Sequence, residues 1–179
     1  MICDKLNINV NELIDLTNKH PRVNILRPGC GVGGHCIAVD PYFIISDFPN
    51  LSPFMQKARE VNLNKERWCV EFITEAIQDF ENTRGVKPTI AILGVTYKPN
   101  VDDIRESPAL RICQELIREI GSSLISIVDP YTSEEIAGII ISEMYEATNK
   151  ADLIFKLVGH SDFDGLETKP HQKLISFVD

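Results

Sequence analysis

Apolar residues follow different spacings on either side of residue 85. In "NVNELIDLTNK", residues 9–19, Val10, Leu13, Ile14 and Thr17 share one helical face. Asn9 or Asn11 can cap that helix, and His20-Pro21 ends it. Proline or glycine then stands at 28, 29, 31, 33, 34, 41 and 49, so residues 22–52 read as loop, with "RVNIL" passing for a short strand. Ser52-Pro53 reads as an N-cap followed by proline at the first helical position. A long helix should run from there to about Thr83. Phe54, Ala58, Val61, Cys69, Phe72, Ala76 and Phe80 recur at three- and four-residue steps, with Lys65 interrupting the stripe. At 1.5 Å per residue it would be ~45 Å long, which suits a spine or an interface.

"TRGVKP", residues 83–88, marks the boundary between a segment 1–84 and a segment 85–179. Beyond it, "TIAILGVTY" is a buried β-run, and Ser107-Pro108 opens a helix to about Ile120 with Gly121 behind it. "SLISIVDP" is a second strand, a helical pattern around Glu134, Glu135 and Ile136 precedes "GIII", and "ADLIFKLVG" and "KLISFV" are further strands. Apolar strands alternating with helices predict an α/β fold with a parallel sheet covered on both faces. Ligands of such sheets bind at the carboxyl ends of strands. Here those ends are residues 94–100, 129–130 and 159–161.

The chain has 179 residues, is 44% hydrophobic and carries a formal net charge of −8, which argues against a nucleic-acid surface. Its five cysteines are odd in number and form no C-x-x-C pair, so neither a disulfide framework nor a zinc knuckle is expected. Reduced thiols in a cytoplasmic protein are the plain reading. No apolar run reaches the ~20 residues of a membrane span, and "MICDKLNINV" is not a signal peptide.

The chemistry concentrates in "PGCGVGGHCIAVDPYF", residues 28–43. Gly29, Gly31 and Gly34 satisfy G-x-G-x-x-G, but no helical stripe starts between Gly34 and Pro41, and no acidic residue follows at the spacing a ribose contact requires. A dinucleotide loop is therefore not expected. Neither is a metal site, because adjacent His35 and Cys36 rarely converge on one ion and a fourth ligand is missing. The glycines instead let backbone approach something closely. Asp40 shares a site with Cys36 if residues 36–40 make one helical turn. A thiol serves as nucleophile where its thiolate is stabilised. The residues alone leave open whether this is a reactive thiol or a tight turn with an inert cysteine. Cys69, Cys113 and Trp68 read as packing, and Cys30 as a bystander. His160, at a strand end, reads either as a nucleotide contact or as a surface turn.

This loop resembles the catalytic-cysteine segment of the nucleotide-sugar 6-dehydrogenases. A second stretch, "LGVTYKPNVDDIRESPALRI" at 93–112, resembles the opening of their UDP-binding domain, and "HPRVNIL" and "AREVN" also fit. G-G-H-C-I-x-V-D-P-Y-F resembles the N-acetylhexosamine branch, above all the UDP-N-acetylmannosamine type. The glucose branch has a lysine where Val39 stands, so no contact of that lysine carries over.

The resemblance implies a helical central segment with a long spine helix, then a parallel-sheet, Rossmann-like UDP-binding domain. It implies oxidation of a UDP-sugar C6 alcohol to a carboxylate with two NAD+. Cys36 would be the nucleophile, and Asp40 would assist proton transfer or activate water. Arg22, Arg27, Gly31, Gly33, Tyr97 and Lys98 would meet the substrate, Arg22 across a dimer interface. Arg105 would face the cofactor, or else form a salt bridge with Asp102, Asp103 or Glu106. The implied partners are the UDP-sugar and a second copy joined through the central helix. The family's NAD-binding domain, its catalytic lysine and asparagine and an upstream glutamate have no match here. The expectation is thus a chain inactive alone that works with a separate NAD-binding half. The alternatives are a non-catalytic UDP-sugar-binding or dimerisation module, and a thiol enzyme using Cys36 and His35.

Overall fold

The computed structural model describes residues 1–178. Two short helices lead the chain, α1 (Ile2–Lys5) and α2 (Val10–Thr17). The Asn9 side chain caps α2 by accepting the Asn11 and Glu12 amides. Residues 23–29 adopt no regular element, so "RVNIL" is not a strand. A helix does follow the glycines: α3 spans Asp40–Asp47 with proline in its first turn. It eluded the sequence reading because none of its residues is buried, so its apolar positions trace no core-facing stripe. The expected lack of a helix after the glycines is thus corrected, and what departs from a dinucleotide loop is the lack of a strand before them.

Helix α4 (Pro53–Arg84) has 32 residues, about 48 Å at the standard rise, and ends at Gly85 with φ +72°. Ser52 occupies its N-cap position without capping it. The hydroxyl instead donates to the Phe48 carbonyl, closing the α3–α4 turn. The buried face is Cys69, Val70, Ile73 and Ile77, so of the expected stripe Cys69 is buried and Ala76 and Phe80 are half-buried beside it. Phe54 and Val61, on the first half, are exposed.

Strands β1 (Ile90–Leu93), β2 (Ile125–Val128), β5 (Leu153–Lys156) and β6 (Lys173–Ser176) form a parallel sheet in the order β2-β1-β5-β6. Alternation of side chains sorts the core into two layers. Ile90 and Ile92 face α4 and α5 (Pro108–Ile120), whereas Ala91 and Leu93 face α6 (Met144–Lys150). Helix α5 starts with Ser107, whose hydroxyl accepts the Leu110 amide and donates to the Val95 carbonyl, pinning the helix start to the end of β1. The second half of α4 therefore packs in one core with the sheet.

Residues 134–136 are not helical, contrary to the sequence reading. Glu135–Ile136 (β3) and Ile139–Ile140 (β4) pair as a hairpin. Its two turn residues, Ala137 and Gly138, have φ of +50° and +80°, the left-handed pair that matches strand twist in a two-residue turn. Ala-Gly is a weak signal for such a turn, and α6, seven residues long, was also missed.

Helix α4 is tied to α5 by an ion pair absent from the sequence reading. Arg111 Nε and Nη2 donate to Glu66 Oε2 and Oε1 at 2.9 and 2.8 Å, and Nη1 donates to Glu106 Oε2 at 3.0 Å. The Glu66 side chain is 11% exposed and that of Arg111 35%. Glu66→Ala should cost about 1–3 kcal/mol, below the range for fully buried pairs because Arg111 reaches water. Urea denaturation checks this, and Glu66→Gln should recover part of the loss.

Candidate functional site

The two stretches singled out in the sequence meet in space. At Gly33, a Cβ would lie 2.4 Å from the Glu106 carbonyl oxygen, 2.8 Å from Pro108 Cδ and 2.9 Å from Tyr97 Cβ. At Gly34, with φ +87°, it would lie 2.8 Å from the Tyr97 ring. The Gly34 amide donates to the Arg105 carbonyl at 2.9 Å. The glycines thus permit contact with a neighbouring loop of this chain, residues 97–108. The other side of the cysteine loop is held by Asn62 on α4. Its carboxamide accepts the Val32 amide at 2.8 Å and donates to the Val32 carbonyl at 3.4 Å, as a facing peptide would. Cys30 is buried and packs in the core with Cys69, so it anchors the loop rather than standing by. The adjacent Cys69 thiol and burial push the Cys30 thiol up, and burial does the same for Cys113. Neither is a candidate nucleophile.

Cys36 is the exposed cysteine of the loop. Its carbonyl accepts the Val39 and Asp40 amides at 3.0 and 2.8 Å. Residues 36–40 therefore form the single turn that brings Asp40, the first residue of α3, round toward Cys36. Tyr97 is half-buried against Gly33 and Gly34, and the Lys98 ammonium stands 5.4 Å from the Tyr97 ring centroid. Arg105 grips Asp103, with Nε 3.0 and 3.1 Å from the two carboxylate oxygens and Nη2 2.6 Å from Oδ2. The hydrogen bonds from Arg105 hold the Asp103 carboxyl at about 2. The same guanidinium lies 3.3 Å from His35 Nδ1 and within electrostatic reach of Tyr97 and Cys36. The salt-bridge alternative for Arg105 is thus present alongside its approach to the cysteine loop.

Arg22 and Arg27 lie on the segment before the loop. Arg27 is paired with Asp15 on α2. Arg22 is exposed, with its amide donating to His20 Nδ1. Gly31 packs near Pro108 and Glu66. Arg59, buried on α4, places its guanidinium over the Tyr42 ring at 5.4 Å and joins α3 to α4. Among the described residues no group of three or more histidine, cysteine or acidic side chains can hold a metal.

The carboxyl ends of β1, β2 and β5 converge beside this loop. Asp129 accepts the Val95 and Thr96 amides at 2.7 and 3.3 Å, and His160 Nε2 lies 3.2 Å from the same oxygen. Burial works against the Asp129 charge, but hydrogen bonds from His160 and from the Val95 and Tyr131 amides outweigh it and hold the carboxyl below its usual range. His160 is completely buried, so neither earlier reading of it, surface turn or nucleotide contact, describes what it does.

These geometries agree with what the chain resembles. The UDP-glucose/GDP-mannose dehydrogenase family matches in two parts, its central domain over residues 1–64 and its UDP binding domain over 91–177. A UDP-N-acetyl-D-mannosamine dehydrogenase of Campylobacter jejuni is 43% identical over 182 aligned residues, covering 99% of this chain and 43% of the relative. One from Escherichia coli K12 is also 43% identical, covering 91% and 40%. The chain thus spans about two-fifths of the length of these curated relatives. A solved UDP-N-acetyl-mannosamine dehydrogenase of Staphylococcus aureus superposes with a TM-score of 0.77 at 34% identity, covering 99% of this chain and 45% of its own. A UDP-D-ManNAc dehydrogenase from Pyrococcus horikoshii gives 0.80 at 29%, covering 98% and 41%. Two domain matches in order, a parallel sheet with its helices, and a cysteine loop seated on the sheet's carboxyl edge all point one way: the chain belongs to the UDP-glucose/GDP-mannose dehydrogenase family.

Proposed function

We propose that these 179 residues are the substrate-binding and catalytic-cysteine portion of a UDP-N-acetylhexosamine 6-dehydrogenase, with UDP-N-acetylmannosamine as substrate. Residues 1–84 supply the cysteine loop and residues 85–179 the nucleotide domain. The observation that carries the reading is the packing of Gly33 and Gly34 on Tyr97, which puts Cys36 beside the loop proposed to hold the nucleotide.

Tyr97 and Lys98 contact the UDP-sugar, with the Lys98 ammonium as a point charge for phosphate. Cys36 Sγ adds to the C6 aldehyde carbon, and the carbonyl oxygen takes up a proton to give a thiohemiacetal. After oxidation of that adduct to a thioester, water attacks the carbonyl carbon. The carboxylate leaves and the thiol of Cys36 is restored. Asp40, one turn on, takes the proton from the attacking water. NAD+ supplies the two hydride acceptors each sugar requires. The residues present fit only an edge of that cofactor: Arg105 is exposed and cationic, but no strand leads into the glycine loop to receive a pyrophosphate.

The exposed apolar face of α3 and the first half of α4 is where we place a second copy of the chain. Ile44, Phe48, Leu51, Phe54 and Met55 line a groove of about 440 Å³ there, and Leu51 and Phe54 are 83% and 86% exposed. Among the described residues no helix is long and apolar enough to cross a membrane, and we place the protein in the cytoplasm.

Titration calorimetry tests the reading. UDP should bind the 179-residue chain and NAD+ should not, and turnover should appear when the N-terminal half of a UDP-N-acetyl-D-mannosamine dehydrogenase is added. Absence of UDP binding would overturn it. UDP binding without restored turnover would favour a non-catalytic module.

A further inference from the structure

His160 occupies a position that the chemistry at Cys36 does not use. It is fully buried, four residues beyond the carboxyl end of β5, where it meets residues that follow β1 and β2. Its ring reaches both ends of the residue 96–100 loop. Nδ1 accepts the Asn100 amide at 2.9 Å. Because Nδ1 spends its lone pair there, the ring proton sits on Nε2, which lies 3.1 Å from Thr96 Oγ1 and 3.2 Å from Asp129 Oδ2. The Thr96 hydroxyl in turn donates to the Lys98 carbonyl at 3.0 Å. Asn100 has φ +58°, and its side-chain oxygen accepts the Ser161 amide at 2.9 Å and hydroxyl at 3.2 Å. Tyr131 stacks on one face of the ring at 4.9 Å, and the edge of Phe163 closes the site at 5.3 Å. Tyr97 and Lys98 thus lie between two points that one imidazole touches, with the Tyr97 amide also donating to the Asp103 carbonyl at 3.0 Å.

We propose that His160 is the positioning residue for the nucleotide, setting the 96–100 loop so that Tyr97 and Lys98 meet a uridine diphosphate. This rests on the nucleotide reading above. The Nδ1 bond holds the Asn100 end of the loop, while Nε2 is shared between Asp129, which keeps three backbone donors without it, and Thr96 Oγ1, whose own bond to the Lys98 carbonyl does not need the imidazole. The two nitrogens therefore have separable duties. A buried packing histidine without this division would respond alike to loss of either bond.

Two isosteric variants separate them. In His160→Asn the side-chain oxygen stands where Nδ1 was and the Nε2 donor is lost. In His160→Gln the amide nitrogen stands where Nε2 was and the Nδ1 acceptor is lost. Each removes one hydrogen bond from a buried site, so thermal midpoints should fall by similar amounts. UDP affinity by calorimetry should diverge: within about threefold of the unaltered chain for His160→Asn, and about tenfold or more weaker for His160→Gln. Amide hydrogen exchange gives a readout without ligand, with Asn100 protected in His160→Asn and unprotected in His160→Gln. Should both variants fail to fold, Asn100→Gly keeps the positive φ and removes the Ser161 bonds from an exposed position, with UDP affinity expected to fall about threefold or more. Equal UDP affinities in the two histidine variants, or unchanged affinity in Asn100→Gly, would overturn the proposal and leave the nucleotide reading standing. Absence of UDP binding by the unaltered chain would overturn both.

Discussion

Cys36→Ser is expected to cut carboxylate formation by about 1,000-fold or more, with the fold and UDP-sugar binding left intact. Cys36 is exposed, and the structure around it is held by its backbone carbonyl, which a serine keeps. The substitution therefore tests the proposed chemical role of the thiol without disturbing the fold. A serine hydroxyl is far less acidic than a thiol, and among the described residues no histidine is hydrogen-bonded to Cys36 to deprotonate it. His35, its neighbour, faces Arg105 instead, which also weighs against a Cys36–His35 thiol enzyme. The assay pairs the chain with the N-terminal half of a UDP-N-acetyl-D-mannosamine dehydrogenase and follows NADH and the uronate product. The expected profile is an unchanged melting midpoint, an unchanged Kd for the UDP-sugar and a lost second oxidation. A variant that retained carboxylate formation would remove Cys36 from the mechanism.

The second large effect is steric. Gly33→Ala drives a methyl to within 2.4 Å of the Glu106 carbonyl oxygen and 2.8 Å of the Pro108 ring. Neither is a flexible side-chain end, and Glu106 already sits at φ +50° and is held by Arg111. The loops must separate, at an expected cost of about 3 kcal/mol. Because Tyr97 Cβ is the third contact, the same methyl should weaken UDP-sugar binding. Denaturation and calorimetry on one variant check both effects. If stability fell while binding held, the cysteine loop and the nucleotide loop would be independent.

Much of this was legible in residue order because the strands here are short apolar runs between glycine and proline, and because Ser107-Pro108 and Gly121 punctuate α5. The cysteine loop stood out by its glycines. What it packs against did not, since nothing in "GVGGHC" says that a tyrosine more than sixty residues away fills the space a Cβ would occupy. The stripe on α4 was read as one face broken at Lys65, yet Phe54 and Val61 are exposed while Cys69 is buried and Phe80 half-buried, and periodicity alone carries no label for the surface a stripe faces. Asn62, Glu66 and His160 were missed or misplaced for a related reason: each acts through a polar bond to a distant segment, and such bonds have no local pattern. Asn62 lay inside the quoted "AREVN", so family resemblance marked the place without giving the bond.

Whether Cys36 and the loop proposed to hold the nucleotide form one site is read by alkylation mapped by mass spectrometry, with and without UDP-N-acetylmannosamine. Cys30, Cys69 and Cys113 are buried and should stay unlabelled, while Cys36 and the partly exposed Cys3 should react. UDP-N-acetylmannosamine is expected to protect Cys36 and leave Cys3 unchanged. Labelling of Cys36 at the same rate with the nucleotide sugar bound would contradict it.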